Sequence, residues 1–214
     1  MLHDLSQPVE TGMPTYPGDP AVSLDPHATF EADGYRVAEL VCGTHTGTHV
    51  DAPSHTEAGG ASLAAVPVET FRFDAVRADV TGREPRTPLA PADLPDDAAV
   101  ADADLLAVHT GWDARWGTDA YLDHPFLTPA AAEWCVERGL HVAVDAPGPD
   151  PTPTPRAAPD EPEGFPAHHA LLGADRLLVE NLRGLSAVPD RFTLHAYPLA
   201  VDADGAPVRA VAEA

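Results

Sequence analysis

The segment His45-Thr46-Gly47-Thr48-His49-Val50-Asp51-Ala52-Pro53-Ser54-His55 carries three imidazoles and one carboxylate within eleven residues. All four of these side chains stand at odd-numbered positions, 45, 49, 51 and 55. Imidazole and carboxylate groups are the ligands that zinc and similar divalent metals prefer. The segment therefore predicts a metal site, and the alternative is a polar turn whose histidines are only solvated.

The spacing of these side chains limits the backbone conformation of the segment. A helix would bring His45 and His49 together but would direct Asp51 elsewhere. A straight strand would place His45 and His49 about 13 Å apart, which is too far for two ligands of one metal. We therefore expect a strand end that bends sharply at Gly47, because glycine tolerates a positive φ. His49 and Asp51 then share one face, and His55 lies near the metal without binding it.

Length and composition predict one folded domain. The chain has 214 residues, of which 44% are hydrophobic, so residues 1–214 can form a single domain with a sizeable core. No apolar stretch is long enough to cross a membrane. The N-terminus does not have the pattern of a signal peptide, and the two cysteines, Cys42 and Cys135, stand far apart in apolar contexts. We therefore expect a cytoplasmic protein with reduced cysteines.

The charge balance is strongly acidic. The formal net charge is −22, and all twelve basic residues are arginines. Such a chain is a poor partner for nucleic acid or for an anionic membrane, so we expect a small-molecule substrate. We interpret the acidity as adaptation to a high-salt cytoplasm, where salt screens the repulsion between carboxylates. The alternative is the residue composition of a GC-rich genome.

Residue patterns predict more strands than helices, which indicates a β-rich α/β fold. The clearest helix is Pro129–Arg138, which begins with a proline and is followed by Gly139. Ser62–Ala65 fits one short helical turn. The strands predicted from β-branched and aromatic content are Val37–Cys42, Phe71–Val80, Leu105–His109, His141–Val144, Leu177–Glu180 and Phe192–Val201.

A proline-rich segment spans residues 146–166. Structureless loops of this length are uncommon in compact domains and are usually functional or mobile. Two interpretations stay open, an active-site lid and a surface excursion without a role. Too little chain follows the segment to form a second independent core, so a linker between domains is not expected.

A second group of candidate ligands lies downstream of the first. His168 and His169 are adjacent, and Glu180 ends the predicted strand Leu177–Glu180. A carboxylate at the end of an apolar strand is costly unless it is paired or coordinates a metal. Glu180 is therefore a candidate ligand, with a structural salt bridge as the alternative. A bridging carboxylate would permit two metal ions.

Together these residues resemble a known family. His45–His55 reproduces the motif His-x-Gly-Thr-His-x-Asp-x-Pro-x-His, and the chain resembles the metal-dependent cyclase family, which includes bacterial kynurenine formamidases and isatin hydrolases. The resemblance runs almost from end to end. It implies a swivelling β/β/α domain that assembles as a homodimer or a larger homo-oligomer. Further landmarks, individually weak, are Tyr16-Pro17-Gly18-Asp19, Thr110-Gly111-Trp112, Glu180-Asn181-Leu182 and Asp204–Ala210.

The resemblance also implies roles for individual residues. The implied metal ligands are His45, His49, Asp51, His168 and Glu180. Among them Asp51 bridges two ions, and the spacing of twelve residues to Glu180 favours His168 over His169. The position of His55 is that of the general acid/base. Tyr16 stands where many formamidases have a tryptophan that lines the substrate pocket, and a tyrosine there can stack on an aryl ring. We expect Trp112 and Trp116 to pack a loop rather than face the pocket.

The implied activity is hydrolysis of a small amide by one or two divalent ions, with zinc expected first and manganese second. The expected substrate is N-formyl-kynurenine, an intermediate of tryptophan catabolism, which would give kynurenine and formate. The alternative within the enzyme class is a hydrolase or cyclase that acts on another cyclic amide, lactone or polyketide-like substrate, as isatin hydrolase does. The alternative from another class is a non-catalytic metal-binding protein. His55 argues against the last, because a purely structural site has no use for an unliganded acid/base.

Overall fold

The computed structural model describes residues 1–214 as an assembly of short strands with four α-helices. The helices are α1 (Phe30–Asp33), α2 (Asp97–Val100), α3 (Pro129–Glu137) and α4 (Pro166–Leu172). The strands are β1 (Leu2–Asp4), β2 (Ser23–Ala28), β3 (Val37–Val41), β4 (His49–Asp51), β5 (Arg72–Asp79), β6 (Pro88–Leu89), β7 (Leu105–His109), β8 (Phe126–Leu127), β9 (His141–Val144), β10 (Leu178–Glu180), β11 (Arg191–His195), β12 (Gly205–Pro207) and β13 (Val211–Glu213).

Nine of these strands form one mixed sheet in the order β1-β13-β11-β5-β7-β9-β10-β4-β12. The four central strands β5, β7, β9 and β10 run parallel to one another, and the strands on either side of this group pair antiparallel. The segment His45–His55 contributes β4, which lies between β10 and β12. The β-rich α/β class predicted from the sequence is confirmed. None of the helices is both long and apolar enough to cross a membrane.

The hydrophobic core lies on both faces of the sheet. Leu105 and Ala107 of β7 face one buried cluster, and Leu106 and Val108 face the other. All five residues of β7 are buried, which explains why this strand reads as a continuous apolar run instead of an alternating one. Helices α3 and α4 pack against each other and contribute to the second cluster.

The structure confirms most of the long predicted elements. β7 and β9 have the predicted bounds, and β5 and α3 agree within one or two residues. The predicted helical turn at residues 62–65 is observed as a 3-10 turn at Leu63–Ala65. The prediction Phe192–Val201 was too long, because β11 ends at His195 and Pro198 has no N–H to continue a ladder.

Several short elements were not predicted from the sequence. β1, β12 and β13 have three residues each, which is too short to show a period. Helix α4 begins at Pro166, where the proline-rich segment ends. Its first N–H groups are capped by a distant side chain, since the carboxylate of Asp150 accepts from the backbone N–H groups of Ala167 (2.8 Å) and His168 (2.9 Å). A cap that comes from outside the helix leaves no local signal.

A separate hairpin of β2 and β3 projects from the main sheet. All five residues of β3 are exposed. Large apolar side chains lie on the surface of this hairpin and its connection, including Leu24, Phe30, Tyr35 and Leu40. An isolated two-stranded sheet is only marginally stable in water. The hairpin therefore buries little of its own apolar surface.

Candidate metal centre and substrate pocket

Strand β4 places His49 and Asp51 on the same face, because side chains two apart in a strand point the same way. Both residues are buried. The predicted bend before the strand is confirmed, since Gly47 has a φ of +59°. Neighbouring β12 comes so close that a Cβ at Gly205 would lie 2.7 Å from Cε1 of His45. Only glycine leaves room for that imidazole.

Strand β10 brings Glu180 directly opposite His49 in the antiparallel register. Nε2 of His49 lies 3.3 Å from Oε2 of Glu180 and 3.3 Å from Oδ1 of Asp51. At these angles Nε2 forms a hydrogen bond with neither carboxylate. Its partner Nδ1 lies 2.8 Å from the carbonyl oxygen of Gly47. The proton of neutral His49 therefore belongs on Nδ1, and the lone pair of Nε2 faces the two carboxylates.

Helix α4 adds His168 to the same cluster. Nε2 of His168 lies 3.2 Å from Oε1 of Glu180 and 4.0 Å from Oδ2 of Asp51. Nδ1 lies 2.7 Å from Oδ2 of Asp150, which fixes the ring and leaves Nε2 free to bind a metal. His169 points away and pairs with Glu57 at 2.7 Å on the surface. The structure thus brings His168, and not His169, to the cluster.

His45 and His55 lie on the more open side of Asp51. Nδ1 of His45 lies 2.8 Å from Oδ1 of Asp51, and the two imidazole rings are 4.0 Å apart between centroids. Oδ2 of Asp204 lies 3.0 Å from Nε2 of His45 and 3.2 Å from Nδ1 of His55. His55 is therefore held beside the buried cluster by a carboxylate, with its side chain 31% exposed.

The electrostatics of the cluster favour a bound cation. Burial lowers the pKa of His168, but Asp150 and Glu180 outweigh that effect and raise the pKa to about 10. Burial also lowers the pKa of His49, and here Asp51 and Glu180 raise it well above its usual value. Oδ2 of Asp51, Oε1 of Glu180 and Nε2 of His49 are buried without a hydrogen-bond partner. Buried acceptors that face one another need a positive charge between them, and His/Asp/Glu atoms within 4.8 Å form a ligand set for a divalent ion.

A cavity of about 320 Å³ opens over this cluster. Its volume lies at the lower end of the range for small-molecule sites. Tyr16 lines it, and the hydroxyl of Tyr16 is buried without a hydrogen-bond partner. Burial raises the pKa of this hydroxyl to about 12, so it keeps its proton at neutral pH. Other side chains around the cavity include Trp116, Tyr121, Leu122 and Phe165.

The two tryptophans behave differently. Trp112 is buried in the core, and its Nε1 donates to the carbonyl oxygen of Ala120 at 3.1 Å, as expected for a packed loop. Trp116 lines the cavity and packs edge-on against Tyr121 with a centroid distance of 5.1 Å. The expectation that Trp116 would only pack a loop was therefore wrong. Its loop passes over the site, and the sequence has no local signal of that placement.

Three polar residues of the site were given no role in the sequence analysis. Asp150 orients His168, and Asp204 contacts both His45 and His55. Asn181 accepts a hydrogen bond of 2.8 Å from the hydroxyl of Tyr121 at the edge of the cavity. Asp204 and Asn181 lie within two of the landmark segments, so the sequence held a signal for them. Asp150 lies in the proline-rich segment, where no pattern distinguishes it.

Comparisons with known proteins agree with this architecture. A sequence profile of the family described as putative cyclase matches residues 3–151. The chain is 32% identical over 218 residues to kynurenine formamidase of Bordetella pertussis, a match that covers 98% of this chain and 96% of that protein. Kynurenine formamidase of Salinibacter ruber is 32% identical over 216 residues, with the same coverage.

Solved structures share the fold over almost the whole chain. Isatin hydrolase A from Ralstonia solanacearum matches with a TM-score of 0.83 at 25% identity, covering 99% of this chain and 91% of that one. A structure described as a potential metal-dependent hydrolase with cyclase activity matches with a TM-score of 0.75 at 26% identity, covering 99% and 96% of the two chains. The resemblance carried by the residues around His45–His55 is confirmed, and the chain belongs to the cyclase family.

Proposed function

We propose that this protein is a metal-dependent amide hydrolase whose substrate is N-formyl-kynurenine. The observation that carries the proposal is the convergence of two oriented imidazoles, His49 and His168, on two buried carboxylates, Asp51 and Glu180. The kynurenine formamidases that match almost the full length of the chain support the choice of substrate. In this role the enzyme would serve tryptophan catabolism in the cytoplasm.

The residues present fit one or two divalent ions. His49, His168 and Glu180 would hold one ion, His45 would hold the other, and Asp51 lies between the two sets. We propose zinc, because it prefers imidazole and carboxylate ligands, and manganese fits the same set. Such an ion, when bound, lowers the pKa of water toward neutrality and polarises a carbonyl oxygen.

His55 has the geometry of a proton carrier. Its Nδ1 lies 3.2 Å from Oδ2 of Asp204, so the proton of the neutral ring belongs on Nδ1 and Nε2 is free to accept another. The ring lines the cavity beside His45. His55 thus takes a proton from the water that attacks the amide carbonyl and gives it to the leaving amine, as a general acid/base does.

We assign substrate binding to Tyr16, which lines the cavity, and we expect a contact beyond simple stacking. The buried hydroxyl has no partner in the protein and stays protonated. A buried donor without a partner costs free energy unless the substrate supplies an acceptor. We therefore assign to Tyr16 a hydrogen bond to a substrate oxygen in addition to contact between the rings.

A second candidate function is hydrolysis of isatin, a cyclic amide. It is favoured by the likeness of the whole fold to isatin hydrolase A. Turnover of N-formyl-kynurenine, isatin and a small lactone by the purified protein separates the candidates. The proposal predicts the highest kcat/KM for N-formyl-kynurenine. Metal content without turnover on any of the three would favour a non-catalytic metal-binding protein.

Two properties of the whole molecule belong to the same proposal. The exposed apolar side chains of the β2–β3 hairpin, such as Leu24 and Leu40, fit a contact with a second copy of the chain, which supports a homodimer or a larger homo-oligomer. Analytical ultracentrifugation tests this, because a monomer at micromolar concentration would contradict it.

The net charge of −22 supports adaptation to high salt. Full retention of structure after dialysis from KCl into low salt would contradict that adaptation.

A further inference from the structure

The proline-rich segment at residues 146–166 forms a fixed wall of the substrate cavity. Its first part is buried, and Pro147, Gly148 and Asp150 line the cavity next to Glu180. Its last residue before α4 is Phe165, which also lines the cavity. After the buried Thr152, residues 153–164 run over the surface. The segment is thus tied to the site at both ends.

A buried arginine holds the middle of this segment. The side chain of Arg86 is only 8% exposed. Its Nε donates to Oε1 of Glu161 at 2.7 Å, and its Nη1 donates to the carbonyl oxygen of Thr152 at 3.1 Å and to Oγ1 of Thr154 at 3.2 Å. Asp123 lies at 3.4 Å and completes an ion-pair network with Glu161. Fully paired buried networks fix a single arrangement of the groups they join.

Phe165 has an unusual backbone for a bulky residue. Its φ is +60° and its ψ is +48°, which is the left-handed region. That conformation costs free energy for a residue with a large side chain, and it persists only where the surroundings enforce it. The ring is 42% exposed, lies edge-on to His168 at 5.8 Å and is tilted toward Tyr16 at 6.3 Å. A strained, exposed aromatic side chain at the mouth of a cavity indicates a ligand contact.

We propose that Phe165 selects substrates with an aromatic ring on the amide nitrogen, and that Arg86 is the positioning residue that holds Phe165 in place. The inference rests on the proposed amide hydrolysis and names the residues that would set its preference for aromatic substrates. A planar aromatic ring that binds beside Tyr16 would contact the face or edge of the Phe165 ring. A saturated ring of the same size would contact Phe165 without the added affinity of an aromatic pair. Arg86 touches no substrate, and it acts through the segment that ends at Phe165.

The test is a pair of ligands that differ only in the ring, acetanilide and N-cyclohexylacetamide. Their binding to the metal-loaded protein is measured by calorimetry, which does not depend on turnover. An aromatic pair contributes enough to favour acetanilide by about three- to tenfold in Kd. A wild-type protein that shows this preference but does not hydrolyse formamides would contradict the proposed function and leave the inference standing.

Two variants of Phe165 separate the effect of losing its ring from the effect of disturbing the local backbone. Phe165→Asn removes the ring and keeps a residue that tolerates the left-handed region, so the preference should fall to the part that Tyr16 alone contributes. Phe165→Tyr keeps the ring and should keep the preference. Equal preference in Phe165→Asn and the wild type would overturn the inference.

The role of Arg86 is tested on the ratio of the Kd values of N-cyclohexylacetamide and acetanilide. Arg86→Ala should lower the preference to that of Phe165→Asn, whereas Arg83→Ala, which removes an exposed ion pair with Asp93, should leave it unchanged. If Arg86→Ala does not fold, Glu161→Gln is used in its place, because it weakens the same network more mildly. In the Phe165→Asn background either network variant should have no further effect on the ratio. Additive effects, or an unchanged ratio in the network variant, would overturn the positioning role.

Discussion

Nε2 of His168 lies 3.2 Å from Oε1 of Glu180, and both side chains are buried. The other ring nitrogen of His168 is fixed by Asp150, so the neutral ring presents a lone pair to a carboxylate. Two acceptors at this distance repel each other unless a proton or a metal ion lies between them. A cation is therefore expected to bind between His168 and Glu180.

Alanine variants of the two adjacent histidines, His168 and His169, test whether a metal ion binds at this pair. His168→Ala should lower metal affinity by more than about 100-fold, because it removes a ligand and not only its support. His169→Ala should retain metal, because His169 pairs with Glu57 on the surface. Metal content after dialysis, measured by mass spectrometry, gives the answer. Loss of metal in the His169 variant alone would show that the assignment is reversed.

His55→Ala should keep bound metal and lose hydrolysis. General acid/base catalysis contributes roughly 10²- to 10⁴-fold, so kcat should fall by that amount. The metal content of the variant serves as the internal control. If the variant loses its metal, His55 is a ligand, and the assignment of proton transfer to it is wrong.

Asp204 should act through His55. Because Oδ2 of Asp204 lies 3.2 Å from Nδ1 of His55, Asp204→Asn weakens the contact that orients the ring, and kcat should fall by about tenfold. The matched control is Asp202→Asn, two residues away, where the carboxylate bonds only Ser62. Equal kcat values in the two variants would contradict a positioning role for Asp204.

The buried His141 should make stability depend on pH. Burial, together with Arg176, lowers its pKa from 6.5 to about 4, and its Nδ1 accepts a hydrogen bond of 2.7 Å from the N–H of Leu177. The folded state thus binds the proton more weakly than the unfolded state. The contribution is complete above pH 6.5 and is lost as the pH falls toward 4, on the order of 2–3 kcal/mol in the free energy of unfolding.

His141→Asn tests this dependence, because an asparagine oxygen can accept the same hydrogen bond and does not titrate. Urea unfolding at pH 7 and pH 4.5 should show a smaller loss of stability in the variant than in the wild type. The same loss in both proteins would show that His141 does not carry the pH dependence.

The sequence predicted those parts of the fold and site that depend on local spacing. The His49–Asp51 pair, the bend at Gly47 and the long strand Leu105–His109 follow from residue order alone. The family resemblance supplied the choice of His168 over His169. Short strands such as β12 could not be predicted, since three residues show no period and depend on their partners in the sheet.

Long-range contacts account for what the sequence left open. Asp150 caps α4 and orients His168 from 18 residues away, and Arg86 reaches Glu161 across 75 residues. Neither contact leaves a local pattern in the chain. Both ends of the proline-rich segment line the cavity, through Gly148 and Phe165, and the two interpretations of the segment, lid or excursion, stay predictions.

The proposed function depends on a divalent metal ion held by the cluster of His49, Asp51, His168 and Glu180. The most direct measurement is the turnover of N-formyl-kynurenine by the purified protein, before and after chelation and after addition of zinc or manganese. Turnover should be abolished by the chelator and restored by one of the ions. Undiminished turnover in protein shown to be free of metal would contradict it.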